Sequence, residues 1–348
     1  MNVSDATTRQ PSGTEYTVYA DLRWPAQTGI GNVMTACLQR APRSVRVERL
    51  GVDGKIGSPL SPLSISAALA GKDRPGAFWS PGFVPPAWGR HPSVVTVHDL
   101  THLHFYSKLH RAYYDLLFRG MYRRCTAIVC VSEYTRSEFL TWSGIESDRV
   151  HVVLNGVDPA YALNDETLDI DYPYVLYPGN RRGYKNIDRL LAAYAQSTLP
   201  GKGIHLLLTG NPVSKLAALA EKQGVGNLVR FAGEVPDGHM PRLSRGALLV
   251  AFVSLYEGFG LPIVEAMASR VPVLTSSTSA MPEIAGRAAL IVNPWNVSDI
   301  RTGMNRLAEA FTLRQELIEA GVERAARFSW DRAAADHWSV VEDVCLAA

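Results

Sequence analysis

Short apolar runs alternate with segments of helical pattern through most of this 348-residue chain, and the alternation pauses once and then restarts. The runs are nearly continuous in aliphatic side chains, which indicates strands buried on both faces. Strands joined by helices form parallel sheets, because a parallel neighbour needs a crossover connection that a helix supplies. The sequence therefore predicts an α/β fold with two doubly wound parallel sheets.

The predicted strands form two sets of six. The first set covers residues 16–20, 45–50, 77–80, 94–98, 127–131 and 150–154, and the second covers 174–177, 205–209, 229–232, 248–252, 271–275 and 289–292. Residues 155–173, rich in Gly, Pro, Asn and Asp, predict a linker. We expect one Rossmann-like domain over residues 1–160 and a second over 161–328. A helix in residues 329–348, capped by Ser329, is expected to pack back toward the first domain.

The charge and cysteine content exclude several classes of protein. Lys and Arg total 35 against 33 Asp and Glu, so this is not a nucleic-acid binder that relies on bulk charge. The longest apolar stretch, residues 247–255, is too short for the roughly 20 residues of a membrane span. The polar first fifteen residues lack the apolar core of a signal peptide. The 4 cysteines form no C-x-x-C pair, which is typical of reduced thiols and predicts a cytoplasmic protein.

Two loops that follow predicted strands suit a phosphate ligand. Gly29 and Gly31 open a helix, whose free N–H groups attract anions. An ordinary tight turn between a strand and a helix, without a ligand, explains the same residues. The second loop, residues 179–186 (GNRRGYKN), places Arg181, Arg182 and Lys185 next to a helix N-terminus. Cations there oppose the helix dipole, so a bound polyanion is favoured over a solvated basic turn.

A third loop begins with His98 at the end of an apolar strand, in the sequence HDLTHLH. The histidine spacing matches no familiar metal site, and no Cys or Glu cluster accompanies it. We therefore interpret His98 as a hydrogen-bonding group in a cleft, oriented by Asp99 or with Asp99 capping the next segment. We interpret His102 and His104 as solvated loop histidines.

A fourth loop contains two glutamates, Glu257 and Glu265, on either side of a glycine-rich turn that enters a helix through Pro262. Carboxylates accept hydrogen bonds from vicinal hydroxyls such as those of a ribose or a hexose. The N–H groups of residues 259–261 lie between the two carboxylates and suit a phosphate. Together these groups predict a site for a phosphorylated sugar compound.

These loops, in their order and spacing, resemble the family 4 retaining glycosyltransferases of the GT-B fold, in which two Rossmann-like domains face a central cleft. The resemblance covers about residues 16–341, and its most specific element is the E-x7-E pattern from Glu257 to Glu265. Supporting motifs are VVTVHDL, AIVCVSEYTRSEF, VVLNGVD, YVLYPGNRRGYKN, VRFAGEV and AMPEIAGRAALIVNP. Bacterial mannosyltransferases of surface-polysaccharide synthesis are the members that these motifs resemble most.

The resemblance implies transfer of a hexose, with retention, from a nucleotide diphosphate sugar to a glycan or a polyprenol-linked acceptor. The expected donor is GDP-mannose, and the expected transferred hexose is mannose. Neither a cofactor nor a metal is expected, because cations and helix N-termini are present to neutralise the leaving diphosphate.

The resemblance also assigns roles to individual residues. The implied catalytic residues are His98, Arg181, Lys185 and Glu257, and the implied donor-binding residues are Gly29, Gly31, Gly179, Arg182, Phe259, Gly260, Leu261 and Glu265. Glu257 would hold the hexose, Glu265 the ribose, and His98 the donor sugar near the reacting carbon. Gly31 would admit the diphosphate. Family members commonly carry Arg directly before the lysine, but Tyr184 stands there, so we assign the diphosphate contact to Arg181, with Arg182 as the other candidate.

Other functions remain open on the sequence. They are a transferase that uses UDP-glucose or a UDP-N-acetylhexosamine, a non-hydrolysing epimerase of the same fold, a catalytically inactive binding module, and an NAD-dependent oxidoreductase. The last is disfavoured because the first loop lacks G-x-G-x-x-G and its downstream acidic residue. Residues 107–124 form a basic, aromatic-rich helix, which predicts either a peripheral contact with anionic membrane lipid or a solvated domain helix.

Overall fold

The computed structural model describes residues 16–26 and 28–347, and these contain two separate six-stranded sheets in which every neighbouring pair of strands is parallel. The predicted α/β class and the division of the strands into two sets are therefore confirmed. The first fifteen residues, on which the signal-peptide argument rests, lie outside the described part of the chain. Among the described residues, no helix is both long and apolar enough to cross a membrane.

The first sheet is built from the N-terminal half of the chain, in the order β2-β1-β3-β4-β5-β6. Its strands are β1(Tyr16–Ala20), β2(Val45–Arg49), β3(Ala77–Ser80), β4(Ser93–Val97), β5(Ala127–Cys130) and β6(Val150–Val152). Its helices are α1(Gly29–Gln39), α2(Ser61–Ala70), α3(Thr101–His104), α4(Lys108–Tyr113), α5(Arg119–Tyr122) and α6(Glu133–Ser143), with a π-helical turn at Tyr114–Phe118. The strand order changes direction between β1 and β3, so the loops after these two strands border a crevice at the carboxyl edge.

The second sheet has the order β12-β11-β10-β7-β8-β9 and changes direction between β7 and β10. Its strands are β7(Tyr174–Tyr177), β8(His205–Leu208), β9(Val229–Phe231), β10(Leu249–Phe252), β11(Val273–Ser276) and β12(Leu290–Val292). Its helices are α7(Pro159–Leu163), α8(Ile187–Ala195), α9(Ser214–Lys222), α10(Met240–Arg245), α11(Leu261–Ala268), α12(Met281–Ala285), α13(Val297–Glu309) and α14(Phe311–Ala325). Ligands of such sheets bind where the order reverses, which here is at the loops after β7 and β10.

The last helix, α15(Trp330–Leu346), returns to the first sheet. Ser329 caps it by accepting hydrogen bonds from two backbone N–H groups of its first turn. Trp338 is 2% exposed, packs at 5.0 Å from Trp79 between ring centroids, and donates to the carbonyl of Cys37. The chain therefore crosses between the domains twice, and the crossings are adjacent because Val157 pairs with Ser329 in a β-bridge.

Helix α1 begins at Gly29, where the Thr28 hydroxyl caps it by accepting a hydrogen bond from the N–H of Gly31. Two other helices differ from expectation. Helix α2 was not predicted, because it consists of small and apolar residues and its sequence has no helical period of polar and apolar side chains. The helix expected over residues 107–124 is interrupted by the π-helical turn.

Replacing Trp338 by alanine should lower the free energy of unfolding by about 3–5 kcal/mol, because the change empties a buried space between α15 and the first sheet. Denaturant unfolding monitored by circular dichroism measures the loss. The matched control is Leu346→Ala on the same helix, whose side chain is 68% exposed. Equal effects of the two substitutions would contradict this view of how α15 docks.

Candidate functional site

Lys185 and Glu257 form an ion pair at the point where the second sheet reverses its strand order. The Lys185 Nζ atom donates to both carboxylate oxygens of Glu257, at 2.7 and 2.9 Å. The side chains of these residues are only 11% and 12% exposed. Lys185 follows β7 and Glu257 follows β10, so the pair joins the two loops that border the ligand-binding edge of this sheet.

The loop after β7 is held in place by its own backbone and by one buried amide. The N–H of Leu255 donates to the carbonyl of Tyr184 at 2.7 Å. Asn186, which adopts a left-handed conformation at φ 63°, donates from its side chain to the carbonyls of Val253 and Pro294. These bonds tie the loop to the end of β10, which explains why Lys185 reaches Glu257.

The N-termini of two helices, one from each domain, lie close together. Helix α11 begins after Gly260, whose φ of 100° is a conformation that glycine adopts without strain. A side chain at Gly29, the first residue of α1, would begin 3.9 Å from Leu261, the first residue of α11. Each helix end carries a partial positive charge and N–H groups without helical partners. The N–H groups of these helix ends are therefore suited to bind an anion such as a diphosphate.

Gly31 and Gly179 have reasons to be glycine that involve no ligand. The N–H of Gly31 donates to Thr28 at 3.0 Å, and a Cβ there would lie 2.0 Å from the carbonyl oxygen of Pro25. The N–H of Gly179 donates to Thr209 at 2.9 Å, and its φ is 127°. Both residues shape their own loops, and the expectation that Gly31 admits a diphosphate stays a prediction.

The two adjacent arginines point to different places. Arg181 donates to the carbonyls of Thr209 and Gly210 at 2.6 and 2.7 Å, and also to the carbonyl of Asn211. Its guanidinium carbon lies 4.9 Å from the centroid of the Phe231 ring. These carbonyls and this ring occupy its guanidinium group, and the expected contact of Arg181 with the diphosphate stays a prediction. Arg182 is exposed and lines the space between the domains instead.

His98 lies beside the Glu257 loop in an uncharged form. Its Nε2 atom is 2.7 Å from the carbonyl of Pro81, so Nε2–H donates there and Nδ1 is left as an acceptor. Burial lowers the pKa of His98 below its usual value, and its bond to Pro81 and the nearby Asp99 only partly oppose this. The backbone carbonyl of His98 is against Gly258, where a Cβ would meet it at 1.7 Å. His98 is therefore a neutral group next to the loop that carries Glu257.

The other histidines of the HDLTHLH segment face different partners. His102 stacks on Tyr114 with ring centroids 3.7 Å apart, and burial lowers its pKa to about 4. His104 contacts the carboxylate of Glu138. Within the part of the chain that the structure describes, no three His, Cys, Asp or Glu side chains form a group that could hold a metal ion.

Glu265 lies partly buried in the first turns of α11, beside two residues of the interdomain connection. Burial and, to a smaller extent, the neighbouring Asp158 raise the pKa of its carboxyl to about 7, although a hydrogen bond with Tyr161 opposes them. Asp158 and Tyr161 both lie in the segment predicted to be the linker, and Tyr161 belongs to none of the predicted site residues. The only sequence signal was their position in NGVDPAY, directly after the last strand of the first domain.

A cavity of about 470 Å³ opens between the domains next to this site. Phe105 and Tyr106 line it from the first domain, and Arg182, Gly183, Tyr184 and Leu255 line it from the second. The rings of Phe105 and Tyr184 approach to 5.5 Å between centroids, so the walls are mainly aromatic. Arg182 supplies the positive charge in the wall.

Family models match both halves of the chain. The model described as Glycosyltransferase Family 4 matches residues 38–161, and the model described as Glycosyl transferases group 1 matches residues 163–324. The O-antigen chain mannosyltransferase B of Escherichia coli is 29% identical over 255 residues, which is 69% of this chain and 67% of that protein. The serotype-specific mannosyltransferase WbdA of Escherichia coli is 28% identical over 60% of this chain, but the chain spans only 28% of WbdA.

Solved structures share the architecture at low sequence identity. Sucrose-phosphate synthase from Thermosynechococcus elongatus superposes with a TM-score of 0.78 at 16% identity, covering 96% of this chain and 100% of that one. WaaG, a glycosyltransferase involved in lipopolysaccharide biosynthesis, superposes with a TM-score of 0.72 at 15% identity, covering 93% and 99%. This likeness confirms the GT-B fold.

The stability of the protein should depend on pH through Glu265. Between pH 4.5 and about 7 the unfolded carboxyl is ionised while the folded one keeps its proton, so raising the pH through this range favours unfolding. In Glu265→Gln this contribution is absent. Thermal melts at pH 5 and pH 8 should therefore show a difference in Tm, variant minus wild type, that grows with pH. A difference independent of pH would contradict the raised pKa.

Proposed function

Because the chain belongs to the glycosyltransferases, with a family 4 domain followed by a group 1 domain, we propose that it moves mannose from GDP-mannose to a glycan or lipid-linked glycan acceptor. The observation that carries this proposal is the ion pair of Lys185 and Glu257 beside the two neighbouring helix N-termini. The mannosyl donor is inferred from the relatives, several of which are mannosyltransferases.

In the proposed donor complex each group has one task. The Glu257 carboxylate accepts hydrogen bonds from the hexose hydroxyls, and the Glu265 carboxylate accepts them from the ribose. The diphosphate lies between the N-termini of α1 and α11, where Lys185 turns toward it as its charge grows. Lys185, Arg182 and the helix ends together supply the positive charge, so we propose that the reaction needs no divalent ion.

Retention of the anomeric configuration is part of the proposal. A double displacement would need a free carboxylate below the anomeric carbon. Glu257 is bonded to Lys185, and Glu265 is bonded to Tyr161 beside Asp158. Because both carboxylates already have partners, we favour attack by the acceptor hydroxyl on the face of the anomeric carbon from which the diphosphate leaves. A phosphate oxygen of the leaving group then takes the proton of that hydroxyl. His98, through its free Nδ1, accepts a hydrogen bond from the donor sugar.

The aromatic cavity is the proposed route for the acceptor. Sugar rings pack their C–H faces on aromatic side chains, and Phe105, Tyr106 and Tyr184 supply such faces. The Lys185 Nζ atom lies 5.3 Å from the centroid of the Tyr184 ring, so this wall adjoins the donor site. An acceptor held there lies next to the hexose that Glu257 binds.

Binding of nucleoside diphosphates tests the donor site. GDP should raise the Tm more than UDP or ADP, with and without EDTA, because a ligand that binds only the folded state stabilises it. Lys185→Ala and Glu257→Gln should each lower kcat/KM for GDP-mannose by at least about 100-fold, equivalent to ~2.7 kcal/mol. A response to UDP alone would redirect the proposal to a UDP-sugar donor.

The control for these substitutions is Lys202→Ala, which breaks an equally short but half-exposed ion pair with Glu309 at 2.7 Å. It should leave kcat/KM unchanged. If no nucleoside diphosphate binds to the wild type, the proposed function is wrong.

Contact with the membrane surface is a further part of the proposal. On α4 and the π-helical turn, Leu109 and Leu116 are 79% and 78% exposed, and the cationic Lys108 and Arg111 are exposed beside them. Apolar and basic side chains on one exposed segment are typical of helices that lie on anionic lipid. A polyprenol-linked acceptor would then reach the cavity from the lipid surface.

Sedimentation with vesicles tests this contact. The protein should co-sediment with phosphatidylglycerol vesicles at low salt, less with phosphatidylcholine vesicles, and less after Leu109→Ser with Leu116→Ser. Leu163→Ser on α7, also at a 79% exposed leucine, is the matched control and should bind as the wild type does. Sedimentation equal to that of protein without vesicles would rule the contact out.

A further inference from the structure

We propose that Ser132, Thr135 and Glu138, all at or on helix α6 of the first domain, are positioning residues that hold Glu257 of the second domain in place for the donor sugar. This inference rests on the proposed function, because it assigns the hexose to Glu257. It adds that the first domain sets the position of a carboxylate that the second domain carries.

The carbonyl of Gly258, directly after Glu257, is bound by two hydroxyls of the first domain. The Oγ atom of Ser132 donates to it at 2.6 Å, and the Oγ1 atom of Thr135 donates to it at 3.1 Å. Both hydroxyl-bearing residues are fully buried. A buried carbonyl that accepts two hydrogen bonds is held in a single orientation, which also restricts the residue before it.

Tyr256, directly before Glu257, is bound to the first domain as well. Its hydroxyl accepts a hydrogen bond from the N–H of Leu100 at 3.0 Å and donates to the carboxylate of Glu138. Glu138 in turn contacts His104 through its other oxygen. The residues on both sides of Glu257 are therefore held by interdomain hydrogen bonds. The N–H of Glu257 itself donates to Ser279, in its own domain, at 2.9 Å.

A second contact docks the start of α6 on the opposite domain. The Glu283 carboxylate accepts hydrogen bonds from the N–H groups of Glu133 and Tyr134, both at 2.9 Å. A carboxylate at a helix N-terminus is favoured by the helix dipole. This contact orients α6 so that Ser132 and Thr135 reach Gly258.

The docked domains leave no space for a side chain at Gly258. A Cβ there would lie 1.7 Å from the carbonyl oxygen of His98 and 2.9 Å from the Cβ of Asp99, both in the first domain. A side chain at this position is therefore incompatible with the docked domains, yet nothing in its own domain comes as close. Substitution of Gly258 should separate the domains without disturbing either one.

Gly258→Ala tests the docking directly and needs no ligand. Hydrogen exchange of peptides from the Glu257 loop should be faster than in the wild type, and small-angle scattering should give a larger radius of gyration. Gly201→Ala is the matched control, because a Cβ at Gly201 meets nothing within 4 Å. Unchanged exchange and an unchanged radius in Gly258→Ala would overturn the proposed docking.

Removal of single hydroxyls tests the positioning. Thr135→Val and Tyr256→Phe should keep GDP affinity within about threefold while lowering kcat for GDP-mannose by at least tenfold, because the nucleotide contacts remain and the hexose contact is misplaced. Thr135→Ser, which retains the hydroxyl, should recover kcat. A merely structural role would lower the Tm and leave the ratio of kcat to GDP affinity unchanged.

The outcomes separate the two proposals. Wild-type kcat in both Thr135→Val and Tyr256→Phe would overturn the positioning role while leaving the donor site intact. Failure of the wild type to bind any nucleoside diphosphate would instead contradict the proposed function, and the exchange experiment would still decide whether α6 holds the loop.

Discussion

The ion pair of Lys185 and Glu257 is the interaction on which the site depends. Two opposite charges that are almost excluded from water stabilise one another only when both are present, so each keeps the other in the cleft. The pair joins the loops after β7 and β10, where the strand order of the second sheet reverses. A diphosphate sugar brings both an anion and hydroxyl groups, and so offers each member of the pair a new partner.

The rest of the structure brings the first domain to this pair. The chain crosses between the domains at two adjacent points, Val157 and Ser329, and α15 returns to the first sheet. From this connection the N-terminus of α1 reaches α11, and α6 reaches the loop around Glu257. The donor site is thus formed by both domains, although the E-x7-E pattern belongs to one of them.

Much of the fold was predictable from short-range pattern. Strands β1, β3 and β7 have the predicted bounds because a buried parallel strand is a short apolar run between turn residues. Helix α2 was missed because it lacks a polar face. The resemblance pointed to Lys185 and Glu257 as site residues. It could not predict that the adjacent Arg181 and Arg182 side chains point in different directions, because the residue types in a loop do not specify side-chain direction. Tyr161 on α7 and Glu265 on α11 are neighbours because these two helices pack together, and no sequence pattern predicts that packing.

The sequence alone determined the two parallel sheets, the order of the loops at their carboxyl edges and the residue types available for phosphate and hydroxyl groups, because these follow from hydrophobic period and composition along the chain. The tertiary structure decided which of those residues meet. It turned Arg181 onto main-chain carbonyls, left His98 neutral, and bound the Gly258 carbonyl to Ser132 and Thr135. The contacts of Gly258 join residues more than a hundred positions apart and depend on how two domains dock, whereas those of Arg181 and His98 depend on how neighbouring loops pack within one domain. No local pattern carries that information.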